Sequence, residues 1–124
     1  MLRDKAELFA VRIIKMHRYL VDEKREFRLS DQILRSGTSI SANLAEAQFA
    51  QSGADFVSKL CIAQKEANET YMWLRNIFHG GYITEPQYNS MQSDVVEILK
   101  MLSSSILTNR KKLAQEKPSP QNNL

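Results

Sequence analysis

The chain has 124 residues, of which 43% are apolar, enough for one domain to bury a core without disulfides or metal. Seventeen Lys and Arg against fourteen Asp and Glu leave a formal charge of +3. Charged or amide side chains interrupt every apolar run well short of the ~20 residues needed to cross a bilayer, and a lone cysteine, Cys61, cannot form an internal disulfide, so a cytoplasmic protein without membrane partners is expected. Charge is uneven along the sequence. Residues 1–28 carry eight bases and five acids, residues 29–109 five and eight, and residues 110–124 four and one. Two basic ends flank an acidic middle, a pattern shared by nucleic-acid binding proteins and by ordinary solvated helix ends.

The first element is a helix from about Arg3 to Asp22, with Phe9, Ile13, Met16 and Leu20 on one face and Ala10, Ile14, His17 and Val21 beside them. That face is wider than one intramolecular contact needs, which points to a subunit contact. The charged stretch from Asp22 to Glu26 interrupts the pattern, and Ser30 is expected to cap a second helix from Asp31 to about Gln51. Its stripe is Ile33, Gly37, Ile40, Leu44 and Ala47; a glycine there lowers helix propensity by about 1 kcal/mol, so a close backbone approach is expected at Gly37.

Ser52 and Gly53 mark a break before a third helix from Ala54 to Phe78, with Phe56, Leu60, Ala63, Ala67, Tyr71 and Leu74 as its core stripe. Gly80 and Gly81 end it, since glycine tolerates the left-handed conformation beyond a helix C-terminus. Thr84, Pro86 and Gln87 form a helix start with a capping box, and the fourth helix runs to about Leu113 on Tyr88, Met91, Val95, Leu99, Leu102 and Ile106. Residues 1–113 therefore form one all-α domain, an antiparallel up-down-up-down four-helix bundle, and residues 114–124 a flexible tail.

Arg35, Ser39, Asn43 and Glu46 form a polar stripe on the second helix, and Glu66 and Glu69 share a face of the third with Ile62, Trp73 and Ile77. Carboxylates between Trp and Ile need partners if that face is covered, and Arg35 and Asn43 are the first candidates, with Arg12 or Lys15 as alternatives. The six residues Arg35, Ser39, Asn43, Glu46, Glu66 and Glu69 form either a ligand pocket or a structural network. No metal or cofactor site is expected, because neither histidine completes the Glu-x-x-His pair of a bundle di-metal centre. His17 is expected to be half-buried or at an interface, and Cys61 to be a small core residue. No catalytic spacing is present, so no enzyme is expected. Candidate phosphate contacts are Arg12, Lys15 and Arg18, then Lys24, Arg25 and Arg28, and at the other end Arg110, Lys111 and Lys112.

Two segments carry a resemblance. Gln32 to Ala47 is similar to an Arg-Ser-x-x-Ser-Ile-x-x-Asn-x-x-Glu signature, on Arg35, Ser36, Ser39, Ile40, Asn43 and Glu46, and Lys65 to Leu74 to a Lys-Glu-Ala-x-Glu-Thr-x-Tyr-Trp-Leu segment. Both resemble the bacterial 23S rRNA intervening-sequence proteins, a four-helix bundle family related to the accessory variability determinants of diversity-generating retroelements. Ser41 stands where many members have Gly, and Met72 where many have Tyr. The resemblance implies a homopentamer around a central channel, without established enzymatic activity. Its retroelement branch implies binding of nucleic acid and a reverse transcriptase. The functional expectation is a self-assembling scaffold that presents basic surface to RNA or DNA, with a structural oligomer acting through a protein partner as the alternative.

Overall fold

The computed structural model describes residues 1–116, which form four helices: α1 (Leu2–Asp22), α2 (Arg28–Ala47), α3 (Gly53–His79) and α4 (Glu85–Glu116). They pack as an antiparallel up-down-up-down four-helix bundle in which α2 lies against both α1 and α3, α3 against α4, and α1 least closely against α4. α4 extends three residues past the expected Leu113, so part of the expected 114–124 tail is helical; residues 117–124 lie outside the described residues.

The apolar stripes close on one core. Phe9, Ile13, Met16 and Leu20 of α1, with Ala6 and Ala10, meet Ile33, Gly37, Ile40, Leu44 and Ala47 of α2. Phe56 and Tyr71 of α3, and Tyr88 and Leu99 of α4, are only partly buried, while Val57 is buried and Thr70, Ile77 and Ile98 are fully enclosed. At Gly37 the backbones approach so closely that a Cβ would sit 2.7 Å from Ile13 Cγ1. The small residue is there because the neighbouring helix occupies the space a side chain would take.

The helix ends follow local chemistry. Thr84 N–H donates to Gln87 Oε1 at 2.9 Å and Gln87 N–H to Thr84 Oγ1 at 3.3 Å, the reciprocal capping box. Ser52 Oγ accepts from Asp55 N–H at 3.0 Å to cap α3. At its other end Gly81 takes φ +86, and Tyr82 N–H reaches back to the Ile77 carbonyl at 3.1 Å, a Schellman closure.

The start of α2 corrects the sequence reading. Ser30 is not the cap: α2 begins at Arg28 with Phe27 in the cap position. Glu26 performs the capping, its Oε1 accepting from Ser30 N–H at 2.8 Å, while the Ser30 hydroxyl donates to the Glu26 carbonyl, also at 2.8 Å. The longer carboxylate side chain reaches back over the first turn, so the helix starts earlier. Arg25, at φ 54, turns the chain out of α1. α2 also stops at Ala47 rather than Gln51, because Gln48, Phe49 and Ala50 switch to tighter bonds three residues back.

Candidate functional site

The α2–α3 seam brings together part of the polar cluster. Arg35 sits about two turns into α2, opposite Glu66 and Glu69, which are three residues apart on one face of α3. Its Nη1 donates to Glu66 Oε2 at 3.1 Å and its Nη2 to Glu69 Oε1 at 2.9 Å, so the planar guanidinium spans two carboxylates. Glu66 is the buried partner, with a side chain 11% exposed, whereas half of Arg35 faces solvent. A carboxylate this enclosed needs its counter-charge, since burial of an unpaired one is costly.

The other three cluster residues are not joined to this group. Ser39 Oγ donates to the Arg35 carbonyl at 2.6 Å, and Asn43 Nδ2 to the Ser39 carbonyl at 2.8 Å, so both turn back onto their own helix. Glu46 pairs separately with Lys59 at 3.1 Å. Beneath the surface, Thr70 Oγ1 donates to the Glu66 carbonyl at 2.8 Å and lies 3.0 Å from Ser36 Oγ, a buried polar link between the two helices. Lys59 is not among the residues singled out in the sequence, and Thr70 enters there only as part of the second segment, not of the polar cluster. Helical spacing gives the signal for both: Thr70 follows Glu66 by four residues, and Lys59 shares the α2-facing side of α3 with Glu66 and Trp73.

The residues of the first segment therefore lock against those of the second: Arg35 and Ser36 on α2 meet Glu66, Glu69 and Thr70 on α3. The family model for the 23S rRNA-intervening sequence proteins matches residues 2–104, a span containing both segments. The chain belongs to this family. It is 54% identical to a Bacteroides thetaiotaomicron protein of the S23 ribosomal protein family, whose crystal structure is described as that of a protein with unknown function; the match covers 86% of this chain and 98% of that one, with a TM-score of 0.85. No curated protein matches.

The candidate phosphate contacts divide between opposite ends of this family member. Lys24, Arg25 and Arg28 surround the α1–α2 link, whereas Arg110, Lys111 and Lys112 lie in the last turns of α4, near the α2–α3 link, as the approach of Leu113 to Gly53 shows. Antiparallel packing places the two sets about 40 Å apart, the length of α3 at ~1.5 Å per residue. Arg12, Lys15 and Arg18 run along α1. Arg12 is held by Asp94 Oδ2 at 2.6 Å and by Ser90 Oγ at 2.8 Å, so its charge is already neutralised. Lys5, not singled out in the sequence, makes a second tie to α4 through Glu97 at 3.0 Å. His17 is half-buried, as expected, with Nε2 3.1 Å from Asp31 Oδ1. Cys61 is half-buried rather than central, and Arg110 Nη2 approaches its Sγ at 3.5 Å. No helix of the described residues is long and apolar enough to cross a membrane.

Proposed function

We propose that this protein is a non-catalytic, self-assembling scaffold of the bacterial cytoplasm that presents basic surface to RNA or DNA, as a homopentamer by family resemblance. The observation that carries the nucleic-acid part is the free charge. Of the nine candidate cations, only Arg12 forms an ion pair among the described residues. Unpaired cations at both ends of the bundle are available to phosphates, and a ring would repeat each set around its two rims. Self-assembly is supported by α1, where Leu8, Val11 and Ile14 remain 70%, 49% and 43% exposed.

The test is binding of an RNA and a DNA oligonucleotide across a salt series, alongside the mass of the protein in solution. Neutralising several phosphates makes log K fall linearly with log salt, by roughly 0.7 to 0.9 per phosphate. An affinity that is flat across salt removes the nucleic-acid reading and leaves an oligomer acting through a protein partner. A monomer removes the ring. The polar cluster is read as a structural network, because Arg35 commits both arms to carboxylates of its own chain while Ser39 and Asn43 bond their own helix.

A further inference from the structure

We propose that the groove between α1 and the start of α4 binds a small organic anion with a flat apolar body, of which an aromatic carboxylate is the type. α1 and α4 are the least closely packed neighbours, and between them lies an open groove of ≈ 400 Å³. Its floor is Met16, Ile83 and Met91, all buried. Two thioethers give that floor an adaptable, polarizable surface suited to an aromatic ring.

The rim supplies the charge. Arg12 is neutralised by Asp94, but Lys15, beside it on the rim, makes no ion pair among the described residues, and no carboxylate lines the groove. Outside the lining, Lys24 Nζ lies 6.0 Å from the ring centroid of Tyr19, which is itself a rim residue. Gln87 has its Oε1 occupied by Thr84 N–H, which leaves its amide N–H groups as the free end. The site thus combines an apolar floor with donors and uncompensated positive charge. A neutral hydrophobe leaves Lys15 unanswered, and a bare inorganic anion leaves the methionines in contact with water. An anion on an apolar body satisfies both. The site lies on the opposite side of the bundle core from the Arg35 cluster and does not depend on the nucleic-acid reading.

The test uses the full chain carrying ¹³C-methyl methionine, titrated with 2-naphthoate. Among the five methionines, Met16 and Met91 line the groove and Met1, Met72 and Met101 do not. Saturable shifts are expected at Met16 and Met91 alone, with a Kd on the order of 1 mM for a ligand of this size. Lys15→Glu, at an exposed position, should weaken naphthoate about five- to tenfold and leave neutral 2-naphthamide unchanged, and acetate should produce no shift. Silence at Met16 and Met91, equal binding of naphthamide, or indifference to Lys15→Glu overturns the proposal. So does a result in which both resonances follow protein concentration instead of naphthoate, which would identify a second copy as the occupant.

Discussion

Replacing Gly37 by alanine pits helix propensity against packing, and the geometry decides the sign. A Cβ at Gly37 would lie 2.7 Å from Ile13 Cγ1, 2.9 Å from Cγ2 and 3.1 Å from Cδ1. Ordinary carbon contacts lie at about 3.5 to 4.0 Å, so α1 and α2 must separate or Ile13 must leave its rotamer. Ile13 is completely buried, and a β-branched side chain in a helix has one strongly preferred χ1, so its two γ carbons cannot swing aside cheaply. Overpacking of this kind costs about 1–3 kcal/mol, against a propensity gain of about 1 kcal/mol. A net loss near 1 kcal/mol is expected, or roughly 3–5 °C in Tm, read by urea and thermal unfolding at fixed protein concentration. The decisive measurement is the double-mutant cycle with Ile13→Ala, which removes all three contacting atoms. In that background Gly37→Ala should become stabilising, giving a coupling of about 1.5–2 kcal/mol. Stabilisation by Gly37→Ala in the wild-type background, or additivity in the cycle, would refute the close-approach argument.

Gly53→Ala is the matched contrast. Its Cβ meets only Leu113, at 2.7 Å from Cδ2, a flexible side-chain end near the end of α4, so unfolding stability should stay within about 0.5 kcal/mol of wild type. Arg35→Ala leaves the buried Glu66 carboxylate without its cation and should cost about 1–3 kcal/mol in urea unfolding, whereas Glu69→Gln, which keeps a hydrogen-bond acceptor on Arg35, should cost under about 1 kcal/mol and leave the solution mass unchanged. Equal losses from the two substitutions would contradict the asymmetry in burial. Glu26→Ala removes the carboxylate that caps α2 and should cost about 1 kcal/mol, while Ser30→Ala, which leaves that carboxylate in place, should lower stability less in the same melts.

Elements set by strong local rules were legible in the sequence. The capping box from Thr84 to Gln87, the glycine closure of α3 and the core stripes of α1 and α2 each follow from short-range spacing, and each stands where the residues placed it. The start of α2 was not legible because two residues compete to cap it. A Ser before an Asp is a strong signal, but the Glu26 carboxylate captures the Ser30 N–H, and which side chain wins depends on how Arg25 turns the chain. The pairing of Arg35 with Glu66 and Glu69 was within reach of residue type and face alone. The turn of Asn43 back onto its own helix was not, since an amide on a helix can bond either a neighbouring helix or its own carbonyl four residues back.

The two seams of α1 respond differently to salt, and this bears on how the nucleic-acid reading can be tested. Against α2, α1 is held by Ile13 packed on Gly37, a contact that salt does not screen. Against α4, it shares the apolar core but is also tied at the surface by ions: Arg12 with Asp94 and Lys5 with Asp94 and Glu97, all partly solvated. Raising salt therefore screens the ion pairs on the α1–α4 side under the same conditions that would weaken the proposed phosphate contacts. Arg12, a candidate phosphate contact that Asp94 already holds, lies in that clasp, so a loss of binding in an Arg12 variant cannot by itself be assigned to a lost phosphate contact or to a loosened seam. Lys111 and Lys112 have no ion pair among the described residues and lie at the far end of α4 from that clasp. Their charge reversal changes the phosphate term while leaving the α1–α4 seam intact, and a reduced salt slope in those variants is consequently the measurement that isolates nucleic-acid contact from bundle loosening.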